Sequence, residues 1–410
     1  MKRAVYINCD GLAPDWISAQ HTPTLARLVS EGRSASSHRA IMPSVTRVSA
    51  ASVATGCYPQ RHGLHGNRMA LDLEGRLTVH DVAPHSFVRS LREATGHALN
   101  VPTLAQRLRH SGGFAAYSNV SAGAAAFLDP DRHGTVRHRD FGHASGHDAA
   151  PLAVSHDMSG DELMTRHFID DVVGSDTAAC VLWLANPDLT LHGAPLGSPE
   201  HFDALARSDA CVAQVEEAIE DRRRAGEDIL LIVGSDHGQE CVGSGVDLYA
   251  WAESLGFGDA LRQGKIAFAT QGTAVLVYAL EQSGPLLDAL QAAPWAGEVA
   301  TGQGLTLLHA HHGGALVGAV NMARSEGLNA YGVPGQRVAA FEGPAFSGIG
   351  FGQHGGWGQD ETRPFLTMQH ASLAQGRVDA PTCLVDIAPT ILNFLGEPTE
   401  GMDGRSLLSA

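Results

Sequence analysis

The sequence is poor in basic residues, and this shortage excludes several kinds of partner. Lysine and arginine total 28 against 44 aspartates and glutamates, which gives a formal net charge of −16. That balance argues against a nucleic-acid polymer as partner and against binding to an anionic membrane surface. A small anionic substrate stays compatible with it, because a bound metal ion can reverse the local field.

Paired cysteines and long apolar runs are also missing from the sequence. The six cysteines are scattered with no C-x-x-C spacing, which excludes a zinc knuckle and a thioredoxin-type site. No apolar run approaches the ~20 residues that a membrane span needs. The chain passes from Met1-Lys2-Arg3 directly into an apolar strand without the core of a signal peptide. We therefore expect a cytoplasmic protein with no membrane partner.

Three short apolar runs, each followed by a carboxylate, dominate the pattern that is present. Residues 4–9, 180–185 and 229–233 predict buried parallel strands. They lead to Asp10, Asp188 and Asp236, at the strand ends where open α/β sheets bind ligands. Helices are predicted between them, including one over 200–224. We expect an α/β fold with a mainly parallel central sheet sandwiched by helices.

The remaining segments are predicted as insertions into a single catalytic α/β domain that spans residues 1–410. Approximately 68–150 and 241–346 are expected to contain the inserted cap or lid subdomain. Residues 127–151 lose all periodicity and are interpreted as a solvated surface or lid loop. Strands are predicted in the second insertion over 266–270, 274–278 and 305–309. Two groups of histidines receive no role and are interpreted as surface or turn residues: His133, His138, His143 and His147 in the first insertion, and His309, His311 and His312 in the second.

The stretch Pro43-Ser44-Val45-Thr46 is predicted to deliver a hydroxyl to the start of a helix that ends near Gly56. Thr46 stands at the predicted N-cap position, and a capping hydroxyl with no other role is the plain interpretation of this stretch alone. A helix N-terminus also offers free N–H donors and a positive dipole end, which suit a phosphate.

Several polar residues at predicted strand ends and turns together form a candidate constellation: Asp10, Thr46, Asp188, His192, Asp236, His237 and His354. All except Thr46 carry the carboxylate or imidazole ligands that zinc and similar divalent ions prefer. Asp188 and His192 can close on one ion, while the adjacent Asp236 and His237 fit one ion or two. A single strand-end aspartate is usually a turn former. Several on one sheet edge favour two ions about 4 Å apart with a hydroxyl between them.

The motifs of the chain resemble those of the alkaline phosphatase superfamily, and within it the nucleotide pyrophosphatase/phosphodiesterase branch. The matching segments run through the whole chain in order and are densest before Asn67. They are Asp10-Gly11, Thr22-Pro23-Thr24-Leu25, Pro43-Ser44-Val45-Thr46, Thr55-Gly56-Cys57-Tyr58-Pro59, His62-Gly63-Leu64-His65-Gly66-Asn67, Pro187-Asp188 with His192, Ser235-Asp236-His237-Gly238, Gly352-Gln353-His354-Gly355, and Asp386-Ile387-Ala388-Pro389-Thr390 with Gly401-Met402-Asp403-Gly404.

The resemblance implies a di-zinc hydrolase of a small phosphodiester or related phosphoester. Asp10, Thr46, Asp236 and His237 would then hold one zinc ion, and Asp188, His192 and His354 the other. Thr46 would be the nucleophile and would form a phosphothreonine intermediate. Asn67 and the backbone N–H of Thr46 would hold a phosphoryl oxygen.

Other functions stay open at this point. Phosphonoacetate hydrolases share the same metal and nucleophile set, but they carry lysines where this chain has residues 118–124, a stretch without lysine. Another phosphonate hydrolase and a phosphomonoesterase are further alternatives, and an inactive metal-binding homologue is disfavoured because no member of the set is missing. A mutase-like isomerase would use serine and favour manganese. A homodimer is left open.

Overall fold

A ten-stranded sheet forms the centre of the protein in the computed structural model, which describes residues 2–281, 283–310, 314–342 and 347–408. Its strand order is β21-β2-β20-β11-β1-β10-β6-β7-β8-β9, with the bounds given below. The strands from β11 to β7 are mutually parallel, and antiparallel pairs flank them on both sides. The predicted α/β fold with a mainly parallel central sheet is confirmed.

The strands are β1 Lys2–Cys9, β2 Arg33–Ala35, β3 His38–Arg39, β4 Arg68–Asp72, β5 Leu77–Asp81, β6 Phe114–Ser118, β7 Thr135–Arg137, β8 Gly142–Ala144, β9 His147–Asp148, β10 Ala179–Leu184, β11 Asp228–Gly234, β12 Glu240–Asp247, β13 Ile266–Thr270, β14 Ala274–Ala279, β15 Ala296–Thr301, β16 Leu316–Met322, β17 Arg324–Leu328, β18 Pro334–Phe341, β19 Gly352–Gln353, β20 Leu366–Gln369, β21 Gly376–Val378 and β22 Thr382–Cys383.

The α-helices are α1 Pro23–Glu31, α2 Thr46–Thr55, α3 Pro59–His62, α4 Phe87–Thr95, α5 Leu104–Leu108, α6 Ala122–Leu128, α7 Met158–Phe168, α8 Asp188–Leu191, α9 Pro199–Arg224, α10 Leu248–Ser254, α11 Gly258–Arg262, α12 Gly284–Gln291, α13 Gln303–Leu307 and α14 Ile387–Leu395. Short 3₁₀ turns span Pro14–Trp16 and Leu384–Asp386, and a π-turn over Ile169–Val173 continues α7. Within the described residues, no helix has both the length and the apolar character needed to cross a membrane.

Alternating side chains of β1 divide the core into two layers, as expected for a strand buried on both faces. Ala4 and Tyr6 join an apolar cluster with α2, α6 and α14. Val5 and Ile7 join a second cluster with α1, α7 and α9 on the other face. The helices therefore cover both faces of the sheet, and loops connect the strands at their amino and carboxyl ends.

Two four-stranded sheets occupy much of the region between residues 240 and 353 and are separate from the central sheet. One has the order β17-β18-β12-β19 and the other β13-β14-β16-β15. The β4–β5 hairpin contributes Ala70 and Leu77 to the apolar cluster that includes Ala267 and Leu276 of the second small sheet. Parts of the two predicted insertions thus pack against each other.

Three local predictions were wrong. Residues 305–309 do not form a strand, because α13 covers Gln303–Leu307. Residues 127–151 are not an unpatterned loop, since α6 ends there and β7, β8 and β9 extend the central sheet. Thr46 is not the N-cap of α2: Val45 takes that position, with extended backbone, and no side chain caps the helix. The strands β7 to β9 are two or three residues long, too short to show a period of two.

Candidate metal centre

Three neighbouring parallel strands bring three carboxylates to one edge of the central sheet. β1 lies between β10 and β11 and is parallel to both. Asp10 follows β1 directly, Asp236 comes shortly after β11, and Asp188 begins the helical turn α8 after β10. The backbone N–H of Asp188 donates to the Asp10 carbonyl at 3.0 Å, which ties the ends of β1 and β10 together.

The first group of candidate ligands, called group A, consists of Asp10, Asp236 and His237, all buried. His237 Nε2 lies 3.2 Å from Asp10 Oδ1 and 3.3 Å from Asp236 Oδ2. Thr46 Oγ1 lies 3.4 Å from the same nitrogen. Asp10 is oriented by the indole N–H of Trp183, which donates to its Oδ2 at 2.9 Å. The hydroxyl of Thr46 therefore lies at the edge of group A.

The second group, called group B, consists of Asp188, His192 and His354. Nε2 of His192 lies 3.3 Å from Asp188 Oδ2, and Nε2 of His354 lies 3.4 Å from Asp188 Oδ1. The side-chain amide of Gln239 also donates to Asp188. His354 is held on its other side, where Nδ1 lies 2.7 Å from the backbone carbonyl of Ser44. This contact fixes the orientation in which Nε2 faces Asp188.

Groups A and B are adjacent. The rings of His237 and His354 stack at 3.6 Å between centroids with an interplanar angle of 13°. Gly355, at φ +125°, turns the chain beside His354, and a Cβ there would meet the backbone carbonyl of Gln271 at 1.6 Å. A glycine is thus required for the close approach that places this histidine.

Two oxygens in group A test whether the residues fit a cation. Asp10 Oδ1 and Asp236 Oδ2 are buried and make no hydrogen bond within the described residues. A buried carboxylate oxygen without a partner is costly. Both oxygens face the imidazole Nε2 of His237, at 3.2 and 3.3 Å, respectively. Oxygen and imidazole donors of this kind suit zinc and similar divalent ions. Each group fits one such ion.

The pKa shifts of the residues in group A indicate a negative electrostatic potential, which attracts positive charge. Burial raises the pKa of Asp10, and the nearby Asp236 and Asp188 carboxylates raise it further. Burial acts to lower the pKa of His237, but the charges of Asp236 and Asp10 overcome it and raise that pKa to about 10. Burial also raises the pKa of Asp236. Carboxylates this close to one another favour the uptake of positive charge, either a proton or a cation.

Asn67 lies beside the start of α2, and its backbone is held from the second insertion. The Arg47 backbone N–H donates to Asn67 Oδ1 at 3.2 Å, and the Asn67 N–H donates to Gln271 Oε1 at 2.7 Å. Gln271 also donates through Nε2 to the Arg68 carbonyl at 2.6 Å. The side-chain nitrogen of Asn67 makes no hydrogen bond to the described residues and is available as a donor.

Sequence reasoning missed the residues that orient these groups. Asp161 of α7 is completely buried and accepts hydrogen bonds from Asn119, Ala185 and Asn186. It thereby holds the turn that delivers Asp188. Asp161 carries no signal in the sequence, because an acidic residue in the first turn of a helix is ordinary. Gln239 follows Ser235-Asp236-His237-Gly238 directly, and its place beside that motif was the available signal.

The histidines outside the two groups are placed as follows. His138 and His143 are buried, and each meets a backbone carbonyl: Val120 at 2.9 Å and Gly134 at 3.3 Å, respectively. His147 is exposed in β9. His309 is exposed and stacks on Tyr58 at 4.1 Å. His311 and His312 lie outside the described residues. Groups A and B are the only clusters of potential metal ligands in the described part of the chain.

Fold and site together define an α/β protein with a mainly parallel central sheet and two adjacent groups of candidate metal ligands at the carboxyl ends of its strands. The sequence profile of the family "Type I phosphodiesterase / nucleotide pyrophosphatase" matches residues 4–290. The chain belongs to this family of phosphodiesterase and nucleotide pyrophosphatase hydrolases, within the alkaline phosphatase superfamily, as its motifs had indicated.

The fold is shared with solved structures of murine ectonucleotide pyrophosphatase/phosphodiesterase 5. The match has a TM-score of 0.71 at 15% sequence identity and covers 98% of this chain and 97% of that one. A second structure of the murine protein, an inactive threonine-to-alanine variant in complex with AMP, matches with the same values. No curated protein sequence matches the chain.

Proposed function

We propose that the protein hydrolyses a small phosphodiester or related phosphoester, with two divalent metal ions, zinc being the expected ion, and with Thr46 as nucleophile. The observation that carries the proposal is the position of the Thr46 hydroxyl. It is free of a capping role, lies 3.4 Å from His237 Nε2, and stands in the first turn of α2. The murine relative supports it, because its inactive variant has lost a threonine and binds AMP.

Each residue of the constellation has a part in this proposal. Asp10, Asp236 and His237, with Thr46, would hold one ion, and Asp188, His192 and His354 the other. The ions would supply the positive charge that makes the threonine alkoxide accessible near neutral pH and offsets the charge of the phosphoryl group and of the leaving oxygen.

The chain itself performs the substitution in two steps. The Thr46 oxygen forms a bond to phosphorus in line with the leaving group, whose P–O bond breaks, and a phosphothreonine results. Water then attacks the same phosphorus, and the Thr46 oxygen leaves. Asn67 Nδ2 and the Thr46 backbone N–H, for which the helix supplies no acceptor, donate to a phosphoryl oxygen whose charge grows in the transition state.

Substitution of Thr46 tests the nucleophile. Thr46→Ala should lower kcat at least about 1,000-fold on an aryl phosphodiester, because the covalent route needs the hydroxyl oxygen. Thr46→Ser should retain part of the activity. Thr55→Ala makes the same chemical change at the other end of α2 and serves as the matched control, with kcat within about twofold of the wild type. Near-normal turnover by Thr46→Ala would show that another group attacks phosphorus.

Substrate class is tested by a panel with added zinc: an aryl phosphodiester, an aryl phosphomonoester, an aryl phosphonate monoester and phosphonoacetate. We expect kcat/KM for the diester to exceed that for phosphonoacetate at least about tenfold, which corresponds to about 1.4 kcal/mol of transition-state binding. Faster release of acetate and phosphate from phosphonoacetate would instead identify a phosphonate hydrolase.

A further inference from the structure

The side chain of Arg47, directly after Thr46, is positioned beside the metal centre without a partner of opposite charge. Its Nε donates to Ser121 Oγ at 3.0 Å and its Nη1 to the Asn67 carbonyl at 3.3 Å. Both acceptors are neutral. No ion pair joins Arg47 to a carboxylate in the described residues, and its Nη2 makes no hydrogen bond to them.

The location of Arg47 is unusual for an unpaired arginine. The residue is half-buried, and the charges that act on it from a distance are those of Asp81, Asp188 and Asp10. Asp10 belongs to group A and Asp188 to group B, so the guanidinium lies within electrostatic reach of both. A guanidinium placed this close to a reaction centre, with one nitrogen unused, can form a charge-assisted hydrogen bond with an anion.

A second arginine is bound to the same turn. Nη1 of Arg139 donates to the carbonyls of Asn119 and Val120 at 2.6 and 2.8 Å. Residues 119–121 follow β6, which is the neighbour of β10 in the sheet. The turn after β6 therefore carries positive charge at the same sheet edge as Asp188, although residues 118–124 contain no lysine.

We propose that Arg47 binds a second anionic group of the substrate, a carboxylate or a phosphate, on the part of the substrate that stays attached to phosphorus. This inference rests on the proposed function. In an in-line displacement the leaving group departs opposite the nucleophile. Arg47 follows Thr46 directly, and its Nη1 donates to the carbonyl of Asn67, the residue that the proposed function assigns to a retained phosphoryl oxygen, so Arg47 lies on the nucleophile's side. The group that it meets is therefore a substituent that phosphorus retains.

Three p-nitrophenyl esters that differ in one substituent test the proposal. They are the monoesters of propylphosphonate, carboxymethylphosphonate and methylenebisphosphonate, and each releases nitrophenolate when water cleaves its P–O bond. The first substituent is uncharged, the second ends in a carboxylate and the third in a phosphonate. For the wild type, we expect kcat/KM for whichever charged ester it prefers to exceed kcat/KM for the uncharged propyl ester at least about tenfold. This factor corresponds to the lower end of the free energy of a hydrogen bond to a charged group.

Variants of Arg47 then isolate its contribution. Arg47→Met should lower kcat/KM for the preferred charged ester about 10- to 100-fold and that for the propyl ester less than about threefold. Arg47→Lys should keep more of the preference for a phosphonate than for a carboxylate, because a carboxylate exploits the planar fork of arginine. Each substrate is compared across variants, so its own affinity for metal ions cancels.

Arg68 provides the matched control. It follows Asn67 directly, but its Nη1 is paired with Glu342 at 2.8 Å. Arg68→Met should change kcat/KM for all three esters by a similar, small factor. An equal loss on all three esters in Arg47→Met would overturn the inference, and so would a wild type without preference for either charged ester.

Failure of the proposed function is distinguishable from failure of this inference. If the metal-loaded protein turns over none of the esters and no member of the substrate panel, the proposed function is wrong. Calorimetry then tests whether Arg47 binds an anionic group. Metal-loaded Thr46→Ala protein is titrated with propylphosphonate, carboxymethylphosphonate and methylenebisphosphonate. Tighter binding of either charged ligand, lost in Thr46→Ala/Arg47→Met, supports the anion site. Equal affinities for the three ligands refute it.

Discussion

Asp161 offers the strongest test of how the fold positions the candidate metal ligands. Its carboxylate is completely buried and accepts from Asn119 Nδ2 at 2.9 Å, from the Ala185 N–H at 3.1 Å, and from Asn186 through N at 3.0 Å and Nδ2 at 2.8 Å. Asp161 thereby connects the turn after β6 to the turn after β10. A change at Asp161 should act on Asp188 without touching any candidate ligand.

The magnitude follows from the four donors. Asp161→Ala leaves three of them without an acceptor, because Asn119 Nδ2 also donates to the Ser155 carbonyl at 3.1 Å, and each unsatisfied buried donor costs about 1–3 kcal/mol. Even the lower limit sums to about 3 kcal/mol, a large part of the roughly 5–15 kcal/mol that a typical protein has in total. Asp161→Asn keeps one oxygen but turns an NH₂ group toward other N–H donors. We expect it to cost about 2–3 kcal/mol in the free energy of unfolding.

The assay combines stability and turnover. Urea unfolding, followed by tryptophan fluorescence, should show the loss of stability in Asp161→Asn. Its kcat should fall about 10- to 100-fold, since a displacement of catalytic groups by about 1 Å can cost that much.

Asp157→Asn is the matched control on the same helix. Asp157 is exposed and caps α7 by accepting from the Gly160 N–H at 2.8 Å. Asparagine caps about as well as aspartate, so both readouts should stay near the wild-type values. An Asp161→Asn variant that unfolds at the wild-type urea concentration with unchanged kcat would refute the positioning role.

Two further predictions concern metal and pH. Protein purified without chelator should carry two divalent ions per chain by elemental analysis, and zinc at about 100 times its Kd should stabilise stripped protein by about 2.7 kcal/mol for each site; less than one ion per chain after incubation with zinc would contradict this. His201 is buried and its Nδ1 accepts from the Gly197 N–H at 3.0 Å, and burial lowers its pKa to about 4. Because the folded pKa lies below the usual 6.5, the contribution of neutral His201 is fully present above pH 6.5 and is lost as the pH falls toward 4. The stability lost between pH 7 and 4.5 should therefore be about 2 kcal/mol smaller in His201→Gln than in the wild type, and equal losses in urea unfolding would show that His201 does not titrate in this way.

Much of the candidate site could be predicted because its residues lie at the ends of strongly patterned elements. The buried runs that became β1, β10 and β11 are continuous and apolar, and such runs identify parallel strands whose carboxyl ends share one edge. Asp10, Asp188 and Asp236 followed from that pattern together with the family motifs. The helix predicted over 200–224 is likewise present, as α9 over Pro199–Arg224. The order of apolar and charged residues along the chain is local information, so these elements can be placed without knowledge of the tertiary structure.

Other predictions failed where local information was weak or misleading. The strands β7 to β9 contain two or three residues each, so their pairing rather than their composition makes them strands. Thr46 resembles an N-cap by residue type, but the helix begins one residue earlier and leaves its hydroxyl free. The histidines between residues 133 and 147 were interpreted as surface residues, whereas His138 is buried against the Val120 carbonyl and His143 against the Gly134 carbonyl.

The sequence by itself determined which chemistry the protein can carry: the apolar runs place the carboxylates at strand ends, and the motifs supply threonine and histidines in family order. Only the tertiary structure decided how these groups are held. His354 is oriented by the carbonyl of Ser44, 310 residues away in the chain. Arg47 finds its acceptor in Ser121, and Asp161 joins turns that follow two different strands. Such contacts depend on the packing of distant segments, and no local pattern of residues encodes which distant segments will meet.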